Sequence, residues 1–111
     1  MTTEKALATF KRVTNMEPWE SDSPVYKAAM DFAFQEVWNQ PGLNDRERRL
    51  VSITCAALSG HPEPLEYHIR SAISSGDIPV SDLRYYAVHL AAYAGFPVAT
   101  SIETMIAKIG A

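Results

Sequence analysis

Helix boundaries are written into this chain at close intervals, and they leave room for little besides helices. Ser23 stands before Pro24, a capping residue followed by the one residue whose missing N–H costs nothing at a helix start. Asn44 and Glu47 have the spacing of a capping box. Gly60, Gly76 and Gly95 each close a helix-like run, and Pro79 and Pro97 stand before the runs that follow the last two. No stretch alternates apolar and polar residues for long enough to make a convincing strand. These signals predict an all-α protein of about six helices joined by short loops.

The segments follow from that punctuation. A first helix over about residues 3–14 puts Leu7, Phe10 and Val13 on one face, and residues 15–23 form a loop. The second runs from Pro24 to about Gln40, where Pro41 and Gly42 stop it. The third opens at Asn44 with a charged turn and continues as LVSITCAALSG, an almost uncharged body that reads as buried on all sides. The fourth spans roughly 62–75, and the fifth follows Pro79 and runs to Gly95. The sixth buries Val98, Ile102, Met105, Ile106 and Ile109. The third, fourth and fifth helices are expected to form the core.

At 111 residues, the chain reads as a single domain over 1–111. It can hold a core, but a sizeable private pocket is harder to build at this size, so a ligand site is expected to draw on a second subunit. Ten basic and 13 acidic residues give a net charge of −3, without the basic footprint of a nucleic-acid binder. No segment has the roughly 18 apolar residues of a membrane span, and the N-terminal MTTEKALATFKR lacks a signal-peptide core. With one cysteine, Cys55, there is no internal disulfide and no C-x-x-C pair, which suits a reducing, cytoplasmic setting. Cys55 itself falls in the apolar body of the third helix and is expected to be buried and inert.

Three groups of residues can carry chemistry. On the fifth helix, Asp82, Tyr86, His89 and Tyr93 share one face, either as a packed contact with satisfied polar tips or as part of a site. On the fourth, His68 shares a face with Leu65 and Ala72 and is either a general acid or base or a structural histidine. His61 lies in the proline-flanked turn before it. Arg46, Arg48 and Arg49 sit in a first helical turn, where positive charge opposes the macrodipole. Arg49 adjoins the apolar body and could hold a carboxylate in its forked donors, whereas Arg46 and Arg48 read as a solvated charged end. The three histidines lack metal-ligand spacing, and no glycine-rich phosphate loop is present, so neither a metal nor a cofactor is expected.

The strings EVWNQPGLNDRERRLVSI, LEYHIRSAISSG and VHLAAYAGFPVA, in that order, resemble the carboxymuconolactone decarboxylase family over about residues 25–110. The resemblance implies an alkylhydroperoxidase D-like helical domain that assembles as a homotrimer or homohexamer. A second branch of that superfamily uses a glutamate, a C-x-x-C pair and a histidine. Laid over that pattern, Arg49 takes the glutamate position, His61 and Pro64 take the cysteine positions, and His68 keeps the histidine. Without the thiol pair, peroxide reduction is disfavoured.

The decarboxylase branch needs no cofactor, and its family substrate is a carboxylated muconolactone of aromatic-compound catabolism. The implied catalytic pair is Arg49 as carboxylate anchor and His68 as acid or proton shuttle. His89, Tyr86, Tyr93 and His61 are then the substrate-binding candidates. The alternative is a protein of the same fold that binds a small acidic or aromatic ligand without turning it over.

Overall fold

The computed structural model describes residues 2–110, and among them every regular element is helical. Helix α1 covers Glu4–Thr14, α2 covers Pro24–Ala28, α3 Asp45–Ser59, α4 Pro62–Ser75, α5 Val80–Ala94 and α6 Phe96–Ile109. The expected caps are in place. Ser23 accepts a bond from the Tyr26 N–H, and the Asn44 and Glu47 side chains bond each other's backbone N–H groups as a complete capping box. Gly60 ends α3 in the left-handed region at φ 71°, which an L side chain resists.

The second helix departs from expectation. Its α-helical part stops at Ala28 and passes into a π-helical stretch, Ala29–Phe34, and then a 3-10 turn, Val37–Asn39. Changing the hydrogen-bond step twice within a dozen residues turns Trp38 inward, and its side chain is buried.

Two apolar clusters hold the fold. Ala6, Phe10, Val13, Met30, Phe34 and Trp38 join α1 to the π-helical segment, with Phe34 meeting Phe10 edge to face at 5.0 Å. The larger cluster unites α3 and α4 with α5 and α6; Ile53, Ile69, Leu83, Ile102 and Ile106 are fully enclosed in it. The core therefore includes α6, beyond the three helices expected. Leu7, placed on the buried face of α1 by its pattern, is partly exposed, and Ala6 occupies that face instead.

Helix α3 is not buried on all sides. Ile53, Ala56 and Ala57 face the core, while Val51, Cys55 and Leu58, at i, i+4 and i+7, form an apolar stripe open to solvent. Cys55 is thus exposed, contrary to expectation, because an uncharged helix body need not be covered all round. No helix among the described residues is long and apolar enough to cross a membrane.

Candidate functional site

Within the charged first turn of α3, Arg48 and Arg49 are buried in the structure, while Arg46 and Glu47 remain exposed. A helix that changes step and ends early leaves carbonyls without intrahelical partners. Arg48 donates to carbonyls of this turn and of the loop beyond it: Nη1 to Val37, which also takes the Gln40 N–H, at 2.8 Å, Nη2 to Gln40 at 2.5 Å and Nε to Leu43 at 3.2 Å. The Asn39 side chain donates to the carbonyls of Phe34 and Gln35, and Arg12 reaches that of Trp38. Arg46 donates to the Asp77 carbonyl and pairs with Asp82 at 3.1 Å. The expectation of a solvated end is corrected for Arg48, which is buried on backbone carbonyls, whereas Arg46 stays exposed while making its two contacts.

Arg49 is the most enclosed charged group among the described residues, with its side chain 1% exposed. Its Nε donates to Asp77 Oδ2 at 2.9 Å, and Nη1 and Nη2 donate to the carbonyls of Val13 and Arg12 at 3.0 Å each. The guanidinium carbon also lies 6.0 Å from the centre of the Trp38 ring. Arg49 therefore binds α1 to the α4–α5 connection, with one donor on each of its three nitrogens already engaged.

His68 lies on the buried face of α4, at 9% exposure. Trp38 stacks beside it at 6.4 Å with an interplanar angle of 12°, and Tyr67 stands at 4.5 Å, tilted by 51°. Its Nδ1 is sealed from solvent and has no hydrogen-bond partner among the described residues. Burial, followed by the nearby Arg49 charge, lowers its pKa from 6.5 to about 4, so the imidazole is neutral at pH 7. Burial also raises the Tyr67 phenol.

The other sequence-derived candidates lie apart from this centre. His61 is exposed at the cap position of α4, where its side chain caps nothing. It borders an open cleft of about 470 Å³ between the α3–α4 turn and α6, with Leu65, Thr104, Met105 and Lys108 in its walls. Tyr86 bridges α5 to α3 through the Thr54 hydroxyl at 2.6 Å; Thr54 already donates to the Leu50 carbonyl, so the phenol is the donor. His89 and Tyr93 are exposed and touch each other, ring centres 5.3 Å apart.

The arrangement thus joins Arg49 to His68 through Trp38 and leaves the α5 stripe and His61 on separate surfaces. Trp38, Tyr67 and Asp77 were absent from the sequence-derived candidates. Tyr67 adjoins His68 in sequence, but Trp38 and Asp77 carry no local signal of their place. No cluster of metal-ligating side chains occurs among the described residues.

Comparison with known proteins places this geometry in context. A family model described as the carboxymuconolactone decarboxylase family matches residues 23–104. A 4-carboxymuconolactone decarboxylase from Acinetobacter baylyi is 31% identical over 78 residues, which cover 70% of this chain and 58% of that protein. The chain thus matches little more than half the length of that relative. No solved structure matches it.

Proposed function

The chain belongs to the carboxymuconolactone decarboxylase family, and from that premise we propose that it is a cofactor-free decarboxylase acting on a small carboxylated lactone or ring compound of the 4-carboxymuconolactone type. The observation that carries this reading is the state of His68: an enclosed, neutral imidazole with a bare ring nitrogen, beside a fixed cation. Such a perturbed titratable group is a common mark of a site that moves protons.

In the proposed reaction the bond from ring carbon to carboxylate breaks, and its electron pair passes into the conjugated lactone. Carbon dioxide leaves, and the resulting dienolate-like anion takes a proton on carbon. His68 delivers that proton. In the free protein, burial and the Arg49 charge keep the imidazole neutral. A carboxylate-bearing substrate offsets the cation and raises the His68 pKa, so the ring gains a proton from solvent as substrate binds. It passes this proton to carbon and recovers another from water. Arg49 acts here through its charge, because its side chain is enclosed and three of its five N–H donors are engaged with Asp77, Arg12 and Val13.

Carbon dioxide release from 4-carboxymuconolactone tests the proposal. His68→Gln keeps most of the side-chain volume and is expected to lower kcat by roughly 10²-fold or more with the helical fold retained. For the unsubstituted protein, kcat falls as pH rises through the pKa of His68 in the complex. An unchanged rate in the variant removes His68 from the mechanism.

A second reading, a non-catalytic binder of a small acidic ligand, is favoured by one observation. The carboxylate anchor assigned by resemblance, Arg49, is already committed within the protein. Saturable binding of product-like acids with no turnover across a panel of carboxylated lactones supports that reading instead. We also propose that the chain works as a homotrimer or homohexamer. The uncovered Tyr85, Val88, Tyr93 and Phe96 support self-association, and a monomeric mass by light scattering counts against it.

A further inference from the structure

A histidine that handles protons is ordinarily held in one orientation by a hydrogen bond to its second ring nitrogen. His68 has no such bond: Nδ1 is enclosed and unpartnered among the described residues. Its ring plane must therefore be fixed by packing. Trp38 lies nearly parallel to the imidazole, while Tyr67, the sequence neighbour on α4, meets it at a steep tilt. The indole is the one of these two whose plane matches that of the histidine.

Trp38 is itself held with unusual thoroughness. It sits in the short 3-10 turn that follows the π-helical stretch, where the regular ladder of backbone bonds is interrupted. Side chains from three other positions fasten that turn. Arg48 takes the carbonyls of Val37, Gln40 and Leu43, Asn39 takes those of Phe34 and Gln35, and Arg12 reaches the carbonyl of Trp38. An arginine in the first turn of α3 works against the macrodipole, so its use as a clasp on the preceding turn accounts for its place. The indole is also near charge, since Arg49 lies 6.0 Å from the ring centre.

We propose that Trp38 is a positioning residue for His68: its indole, carried on a turn whose flanking carbonyls Arg48 holds, sets the plane of an imidazole that no hydrogen bond orients. This inference rests on the reading of His68 as the proton-handling group, but its structural half can be tested without turnover. The probe is ¹⁵N NMR of the imidazole, which reports the tautomer and the titration of His68, alongside kcat and KM for 4-carboxymuconolactone. Trp38→Leu removes the flat surface and is expected to mix the two tautomers and move the titration up toward its ordinary value near 6.5, as water enters beside the ring. A loss in kcat of about 10- to 100-fold with little change in KM should accompany it. Trp38→Phe restores a flat ring and should recover most of both signals.

Should Trp38→Leu fail to fold, Arg48→Lys serves in its place. It keeps the charge but cannot reach three carbonyls at once, and it should shift the His68 titration in the same direction by a smaller amount. An unchanged tautomer and titration in folded Trp38→Leu, or in Arg48→Lys where that variant stands in, overturns the proposal. Absence of turnover in the unsubstituted protein overturns the functional reading alone and leaves the NMR result to decide the role of Trp38.

Discussion

Two faces of this protein carry histidine and tyrosine side chains, and they were built in opposite ways. On α4, His68 is enclosed between Trp38 and Tyr67, and the cation beside it is locked to Asp77 and two carbonyls. On α5, His89 and Tyr93 stand in solvent and touch little besides each other, while Tyr86 spends its hydroxyl on Thr54. The residue types are the same, but their surroundings differ. Enclosure shifts the titration of His68, whereas the α5 pair stands exposed and open to a partner.

The difference is largest at Arg49. Replacing it with Leu strands the carbonyls of Arg12 and Val13 and removes the partner of Asp77. A loss of about 3 kcal/mol or more is expected in urea unfolding. Arg46→Ala, which breaks a half-exposed pair with Asp82, should cost about 1 kcal/mol or less in the same assay. Equal losses would dissolve the distinction between the two arginines.

Next in size is the response to acid. The folded pKa of His68, about 4, lies below its ordinary 6.5, so the unfolded chain binds the proton more tightly. Any contribution from this group is therefore undiminished above pH 6.5 and is lost as pH falls toward 4, by an amount on the order of 3 kcal/mol. His68→Gln should flatten that slope between pH 6.5 and 4, which urea midpoints measured across the window check.

How far the chain could be read in advance follows the same division. Local signals, such as Ser23 before Pro24, the Asn44–Glu47 box and Gly60, placed most helix ends because capping depends on neighbours in sequence. The switch to π and 3-10 geometry after Ala28 was not legible, since it is set by how Trp38, Arg48 and Asn39 meet in space. Arg49 and His68 stood out from their places on apolar helix faces, and the family resemblance sharpened both. The bond from Arg49 to Asp77 spans 28 positions, and no periodicity reveals a partner at that distance. Cys55 was misplaced for a related reason: an uncharged helix body says which residues tolerate burial, not which side is covered.

The smallest effects belong on the open side. Cys55 lies in the exposed stripe of α3 with Val51 and Leu58, so a thiol reagent should modify it in the folded protein without denaturant. Cys55→Ser should leave stability within about 0.5 kcal/mol, and so should Tyr93→Ala, because neither change opens a cavity or strands a polar group. Self-association supplies the sharper test. If copies of the chain pack through the apolar residues of α3 and α5, labelling of Cys55 should slow as protein concentration rises, and Tyr93→Ala should restore the fast rate. A rate independent of concentration, with Tyr93→Ala indistinguishable from the parent, would leave this surface as solvated as it stands in the single chain and place any assembly contact elsewhere.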